Sequence, residues 1–386
     1  MFEGDKLLRV PGPTPVPDRV ALAAARPMLW HRSPEFVELF KRVEARLKAL
    51  FETKGDVLII AGSGTAAMES AVANLTSPGE EVIVLSGGKF GERWLEIAQA
   101  FGAKPVELKY PYGRGIEPDA LDECLAKHKD AKVVYATQNE SSTAVLNDIE
   151  ALAKVARAHD ALLVVDAVSS LGGTPLPMDA WGVDVVVTGS QKCLMLPPGL
   201  AFVGIGERAW EKAKAARGHR YYLDWKQYQK AAKNAESPYT SAVSLMYALD
   251  ESLAMMEAEG AEARFARHRL MREMVREGLR ALGFTLYVED RWASPTLTAA
   301  TGGGVDPEAL RKAVRKKTGV TFAGGQGELK GQIFRIGHMG AATPLDMVTT
   351  IAAVEMGLAE LGASVTFGRG AGRALEVWKS WQSRCW

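Results

Sequence analysis

Six short apolar runs punctuate residues 57–206: VLII, VIVL, VVYAT, LLVVDA, VVVTGS and LAFVGIG. They are rich in β-branched residues and lack alternating polar positions, so they predict strands buried on both faces. Stretches of helical spacing lie between most of them. In TAAMESAVANL (65–75), Met68, Val72 and Leu75 recur three or four apart, and in IEALAKVARAHDA (149–161) Leu152, Val155 and Ala156 share a face. Strands alternating with helices in this way predict an α/β fold, a mostly parallel sheet sandwiched by helices with right-handed crossovers.

The pattern changes near residue 250. One long charged helix is expected across ESLAMMEAEGAEARFARHRLMREMVREGLRALG (251–283), then shorter strands at TLYVE, SPTLTAA and QIFRIGHM, with a helix at DPEALRKAVRKKTG. This reads as a smaller α+β domain at 251–386, following a large domain at 18–250. The proline-rich start, VPGPTPVP (10–17), is expected to be extended, and the segment 1–17 to pack on the small domain. The tail from Gly362, with GRGAG and WKSWQSRCW, reads as a frayed terminal helix with exposed tryptophans.

Length supports the two-domain reading, because 386 residues exceed the usual size of a single core. The charges nearly cancel, 47 basic against 46 acidic. That balance argues against a nucleic-acid or membrane-surface partner. No run reaches the length of a membrane span. The first residues, MFEGDKLLRVPGP, hold no apolar signal core, and the final RCW is not a peroxisomal address. Cys124, Cys193 and Cys385 are scattered without a CxxC pair, which fits a reducing cytoplasm.

Three positions carry candidate chemistry. AGSGTAAMES (61–70) follows one strand and opens a helix, so its small residues and free N–H groups suit a phosphate. It also fits the loose dinucleotide pattern GxGxxA. That reading wants an acidic residue ending the next strand, where Ser86 and Gly87 stand instead. Asp166 ends the apolar strand LLVVD, and a carboxylate buried there needs a partner; the bland alternative is a cap for the following turn. Lys192 follows VVVTGSQ directly and is either a solvated loop lysine or a nucleophile. A phosphate site, a buried Asp and a buried Lys on one sheet edge meet the needs of pyridoxal phosphate: a Schiff-base amine, a carboxylate for the pyridine nitrogen and a helix N-terminus for the phosphate.

The chain resembles the class V, fold-type I pyridoxal-phosphate aminotransferases of the alanine–glyoxylate and serine–pyruvate branch. The resemblance rests on PGPTPVP (11–17), HRSPEF (31–36), GSGTAAME (62–69), GGKFGERW (87–94), NESSTAVLND (139–148), VVDAVSSLGG (164–173), GSQKCLMLPPGLAF (189–202) and FRIGHMG (334–340), in the family's order. It implies that Lys192 is the Schiff-base lysine and proton shuttle, with Asp166 on the pyridine nitrogen. It implies Phe90 stacked on the ring, and Ser63, Gly64, Thr65 and Gln191 cradling the phosphate end. Ser141, or else Ser142, would contact the cofactor, and Arg335 would clamp the substrate carboxylate. It also implies a homodimer with shared active sites, Thr240 reaching the neighbour's phosphate. The expected reaction moves the amino group of alanine or serine to glyoxylate or pyruvate by a ping-pong cycle. The alternatives are an aspartate or aminoethylphosphonate transaminase, a cysteine desulfurase, or a nicotinamide-binding oxidoreductase. Desulfurases stack a histidine on the ring and use a downstream loop cysteine. Here Phe90 takes the first place, and after Cys193 only Cys385 follows. The histidines show no metal spacing, and no metal is expected.

Overall fold

The computed structural model describes residues 7–382. Residues 1–6 of the N-terminal segment and Cys385 lie outside the described residues. The strands, in chain order, are β1 (Leu7–Arg9), β2 (Asp56–Gly62), β3 (Glu81–Ser86), β4 (Lys104–Lys109), β5 (Val133–Thr137), the short pair β6 (Asn139–Glu140) and β7 (Val145–Leu146), β8 (Leu162–Asp166), β9 (Val185–Gly189), β10 (Gly199–Ile205), β11 (Phe284–Leu286), β12 (Leu297–Gly302), β13 (Val320–Gly324) and β14 (Phe334–Gly337). Seven of them form the large sheet, ordered β2-β10-β9-β8-β5-β3-β4. It is parallel except at β10, which runs against both of its neighbours.

The strands read as unbroken apolar runs because successive side chains feed different cores. Val57 and Ile59 of β2 join one cluster while Leu58 and Ile60 join another; Ile83 and Leu85 of β3 divide from Val82 and Val84 in the same way. Helices cover both faces, so the central strands β5, β8 and β9 are buried throughout, while the edge strand β4 keeps Lys104, Glu107 and Lys109 exposed. The second sheet, β1-β13-β14-β12-β11, is antiparallel except where β1 runs parallel to β13. It has its own core around Phe284, Phe322, Phe334 and Ile351. The proline-rich start therefore enters the smaller sheet through β1.

Two expectations need correction. The long helix over 251–283 is two helices, Val243–Glu259 and Ala261–Ala281, broken at Gly260 with φ +79°. The residues on either side are good helix formers, so the apolar period runs across the break unmarked. Over its described residues the tail packs: Arg369–Gln382 is a helix with Ala374 and Val377 buried and Trp378 and Trp381 half-buried against the smaller core, while Trp386 lies outside the described residues. Gly370 permits the approach, since a Cβ there would meet Leu282 at 2.7 Å. The buried Glu355 carboxylate accepts from the N–H groups of Gly368, Gly370 and Ala371, anchoring that helix by its N-terminus.

Parallel strands put their carboxyl ends on one edge. Ser86, Thr137, Asp166 and Gly189 end β3, β5, β8 and β9 there, and β14 of the smaller sheet faces them across a cleft.

Candidate active site

The cleft is lined by Pro11, Gly12, Phe90, Ser141, Lys192 and Arg335, among others. Lys192 reaches it because the chain turns sharply after β9: Ser190 N–H donates to the Leu200 carbonyl and Leu196 N–H to the Ser190 carbonyl. The Lys192 side chain is buried, and its Nζ donates to the Pro11 carbonyl. Burial disfavours the ammonium and lowers its pKa to about 8; Asp166 opposes the shift, while Arg335 and Arg93 assist it.

Asp166 is 3% exposed at the end of β8. Its Oδ1 accepts from Val168 N–H at 2.8 Å, as the turn-capping reading expects, and the same carboxyl lies near enough to Lys192 to act on its charge. Burial raises its carboxyl to about 7, with Glu140 adding to the rise and Arg93 and Lys192 opposing it. Arg335, on β14, is buried and links the smaller sheet to the bend after β6. Its Nε donates to the Gly324 carbonyl at 2.8 Å and its Nη1 to the Ser141 carbonyl at 2.5 Å. Burial brings the guanidinium down to about 10.

The phosphate-type end lies at the helix Gly64–Leu75. Ser63 stands at its N-cap without a side-chain capping bond, leaving the hydroxyl and the first N–H groups for another partner. A Cβ on Gly189 would stand 3.1 Å from Gln191 Oε1 and 3.2 Å from Gly64 N, so the Gln191 amide and the helix N-terminus face one small space. That Oε1 is buried without a partner, and turning the amide presents its N–H groups to the same space. Gly64 itself packs on Val168, two residues past Asp166. Phe90 is half-buried at the start of the helix Lys89–Ala100. The Arg93 guanidinium lies 4.7 Å from its ring centroid and donates to Thr65 Oγ1 at 3.4 Å. An amine, a protonatable carboxyl, an aromatic face and a helix N-terminus fit pyridoxal phosphate as a donor set.

Ser141 lines the cleft, whereas the Ser142 hydroxyl donates to Glu140 and accepts from Lys89 N–H. Thr240 is not part of this cleft. It is exposed and lines a separate small pocket with Ala61, Leu200, Tyr222 and Tyr239, beside the edge strand β2.

Sequence reasoning missed two side chains here. Glu140 is fully buried and accepts from Phe90 N–H, Gly91 N–H, Ser142 N–H and the Ser142 hydroxyl. Burial pushes its pKa up and those donors pull it back. The signal was present, since Glu140 closely follows the apolar run VVYAT as Asp166 ends LLVVD. Arg93 sits one helical turn after Phe90, a spacing that places both on one face.

Among the described residues no helix is long and apolar enough to cross a membrane, and no group of three His, Cys, Asp or Glu could hold a metal ion. Comparison with known proteins agrees with the cleft. The family described as aminotransferase class V matches residues 19–339. The chain is 44% identical over 371 residues to a protein of Synechococcus sp. (strain PCC 6716) named soluble hydrogenase, small subunit, covering 95% of this chain and 96% of that one. It is 35% identical to the serine–glyoxylate aminotransferase of Methylorubrum extorquens, covering 96% and 95%. The crystal structure of pyridoxamine–pyruvate aminotransferase from Mesorhizobium loti superposes with a TM-score of 0.94 at 32% identity, covering 98% of each chain. A match spanning most of the chain, on the fold that carries this cleft, makes the protein a member of the pyridoxal-phosphate-dependent class V aminotransferases of fold type I.

Proposed function

We propose that this enzyme moves the amino group of a small amino acid, alanine or serine, to glyoxylate or pyruvate in two half-reactions of a ping-pong cycle. The observation that carries the reading is one cleft lined by Lys192 and Arg335, with the buried Asp166 carboxyl near enough to the Lys192 amine to act on its charge. Pyridoxal phosphate, when bound, supplies an aldehyde that takes up the amino group and a ring that accepts electron density from the substrate Cα. Lys192 would hold that aldehyde, and its amine, when free, would move the proton at Cα. An amine lowered to about 8 is in part neutral near pH 7 and can act as that base. Asp166 would hold the proton of the pyridine nitrogen. Ser63, Gly64, Thr65 and Gln191 would hold the phosphate, Phe90 would stack on the ring, and Ser141 would contact the cofactor. Arg335 orients the substrate by its α-carboxylate. Its Nε is committed to Gly324 and one Nη1 hydrogen to Ser141, which leaves the second Nη1 hydrogen and Nη2 for two parallel hydrogen bonds.

The relatives' names support the acceptor class, since one uses glyoxylate and the structural neighbour pyruvate. A transaminase for aspartate or aminoethylphosphonate remains the alternative within the family. A desulfurase reading finds no support in Cys193, which is buried with its thiol pushed up to about 11. The hydrogenase name of one relative finds no metal-binding group among the described residues. Cys124 and Cys193 are both free, which supports a reducing, cytoplasmic setting.

A half-reaction screen tests the reading. Each amino acid is mixed with the purified holoenzyme without acceptor, and the visible band of the lysine-bound cofactor is followed. Alanine or serine should bleach it, and glyoxylate or pyruvate should then restore it. Bleaching that requires both substrates together would overturn the ping-pong order, and bleaching by aspartate alone would move the substrate assignment to the alternative.

A further inference from the structure

Lys192 is held by a part of the chain far from it in sequence. Thr14 N–H donates to the Gln191 carbonyl at 3.1 Å, and the buried Thr14 hydroxyl donates to the Lys192 carbonyl at 2.9 Å. Two residues earlier, Gly12 lies along the lysine side chain. A Cβ there would stand 2.5 Å from Lys192 Cδ and 2.6 Å from both Cε and Nζ. Gly12 also has φ +122°, a conformation L side chains rarely adopt, so glycine is required twice over. The Pro11 carbonyl accepts from the amine itself. Backbone, aliphatic stem and amine of one residue are thus each fixed by Pro11–Thr14.

The other end of this segment is anchored in the smaller sheet. β1 pairs with β13, and the buried Arg9 guanidinium meets Asp346 at 2.7 Å. The Val10 carbonyl lies against Gly337 of β14, the strand that carries Arg335. One continuous strap therefore joins the strand bearing Arg335 to the position of the Lys192 amine.

We propose that Gly12 and Thr14 are positioning residues for Lys192: the Pro11–Thr14 strap sets where the free amine lies and hence how readily it bonds to the cofactor aldehyde. This rests on the assignment of Lys192 as the cofactor-bonding lysine. In that bonding the neutral amine nitrogen forms a double bond to the aldehyde carbon, the carbon–oxygen bond breaks, and the oxygen leaves as water with both amine hydrogens. The step depends on the amine's placement, and a misplacement on the order of 1 Å can slow such a reaction about a hundredfold. The phosphate groups are others, the helix N-terminus at Ser63–Thr65 and the Gln191 side-chain amide; the Thr14 hydroxyl bonds to Lys192 and a Gly12 Cβ would meet Lys192, so the substitutions act on the lysine first.

The test compares cofactor-free wild type with Gly12→Ala, Thr14→Val and Thr14→Ser. Two quantities are read: the rate at which added pyridoxal phosphate develops the visible band, and the affinity for pyridoxamine phosphate, which has no aldehyde and reports the cradle alone. Gly12→Ala and Thr14→Val should slow band formation by at least about tenfold. Pyridoxamine phosphate affinity should stay within about twofold, and Thr14→Ser, which keeps the hydroxyl, should recover the wild-type rate. Unchanged rates, or affinity for pyridoxamine phosphate falling in parallel, would overturn the positioning role. If Gly12→Ala does not fold, the Thr14 pair decides alone, since valine keeps the volume of threonine. Borohydride reduction of the wild type separates the underlying assignment: cofactor fixed on a lysine other than Lys192 defeats that assignment, whereas slow variants of an enzyme labelled at Lys192 concern the strap.

Discussion

Burial holds the Lys192 amine at about 8 and the Asp166 carboxyl at about 7, so in each the charged form is disfavoured. For Lys192 this has a stability consequence with a definite sign. In the unfolded chain the amine titrates near 10.4. Below about pH 8 both states are protonated, and the fold bears the whole cost of the buried ammonium. Between about 8 and 10.4 the native state releases its proton first and the cost is relieved as pH rises. Lys192→Met should therefore stabilise the cofactor-free protein by up to about 3 kcal/mol at pH 7, the gain fading toward pH 10. Melting of both cofactor-free proteins across that range checks it, and a pH-independent difference would contradict it. Borohydride should fix no cofactor at residue 192 in this variant. Glu140 gives a second prediction. All four of its partners are donors, so Glu140→Gln sets an N–H2 group against N–H and O–H groups. A loss of about 1–3 kcal/mol is expected in a thermal melt. Because Glu140 fixes the first turn before Phe90 and the Ser141–Ser142 bend, kcat/KM should fall as well. Asp166 and Lys192 were legible because each stands at the end of a continuous apolar strand, where a charge without a role is costly. Glu140 stands three residues past VVYAT, as Lys192 does past VVVTG, but in a run of small polar residues that shows no period, and its burial rests on the first turn of helix Lys89–Ala100, whose N–H groups it accepts from.

At the scale of elements, the apolar runs from β2 to β10 were legible because two helical layers bury both faces of the large sheet. What escaped depends on contacts distant in sequence. β1 is three residues long and exists by pairing with β13, over three hundred positions later. The terminal helix Arg369–Gln382 is held by Glu355 and by the space that Gly370 leaves, neither of which shows as a local period. The break at Gly260 is different again, because a single backbone angle makes it. No heavy atom lies within 4 Å of the place a Cβ would take, so steric clash plays no part. Its φ of +79° with ψ 148° is nonetheless strained for any L residue. Gly260→Ala should cost about 1–3 kcal/mol from conformation alone. A melt of the variant checks this; an unchanged or raised melting temperature would mean that the two helices can fuse into the single long helix their periodicity suggests.

At the scale of the whole molecule, several large apolar side chains stay uncovered in one copy: Leu22, Met28 and Trp30 are 66–71% exposed, and Tyr221 is 81% exposed. Apolar surface of this kind favours burial against a partner. Thr240 is exposed beside the edge strand β2, outside its own cleft, and Tyr222 in the same pocket donates to the Ala61 carbonyl just before Ser63. A second copy docked on this side would bring its own Thr240 toward the phosphate end at Ser63–Thr65. We therefore expect sedimentation to show a mass near twice the 41.7 kDa of one chain. Mixing variants tests whether the sites are shared. Lys192→Ala and Thr240→Ala homodimers are prepared separately, mixed and allowed to exchange subunits. If Thr240 acts on the neighbour's site, each hybrid has one site with both substitutions and one with neither, so cofactor retention and turnover at the second site return to the wild-type level per intact site. If Thr240 acts within its own subunit, or only supports the surface, the Lys192→Ala partner restores nothing and the mixture behaves as the average of its parents. That second result, with a stable and active monomer as the still stronger case, would end the shared-site assignment of Thr240.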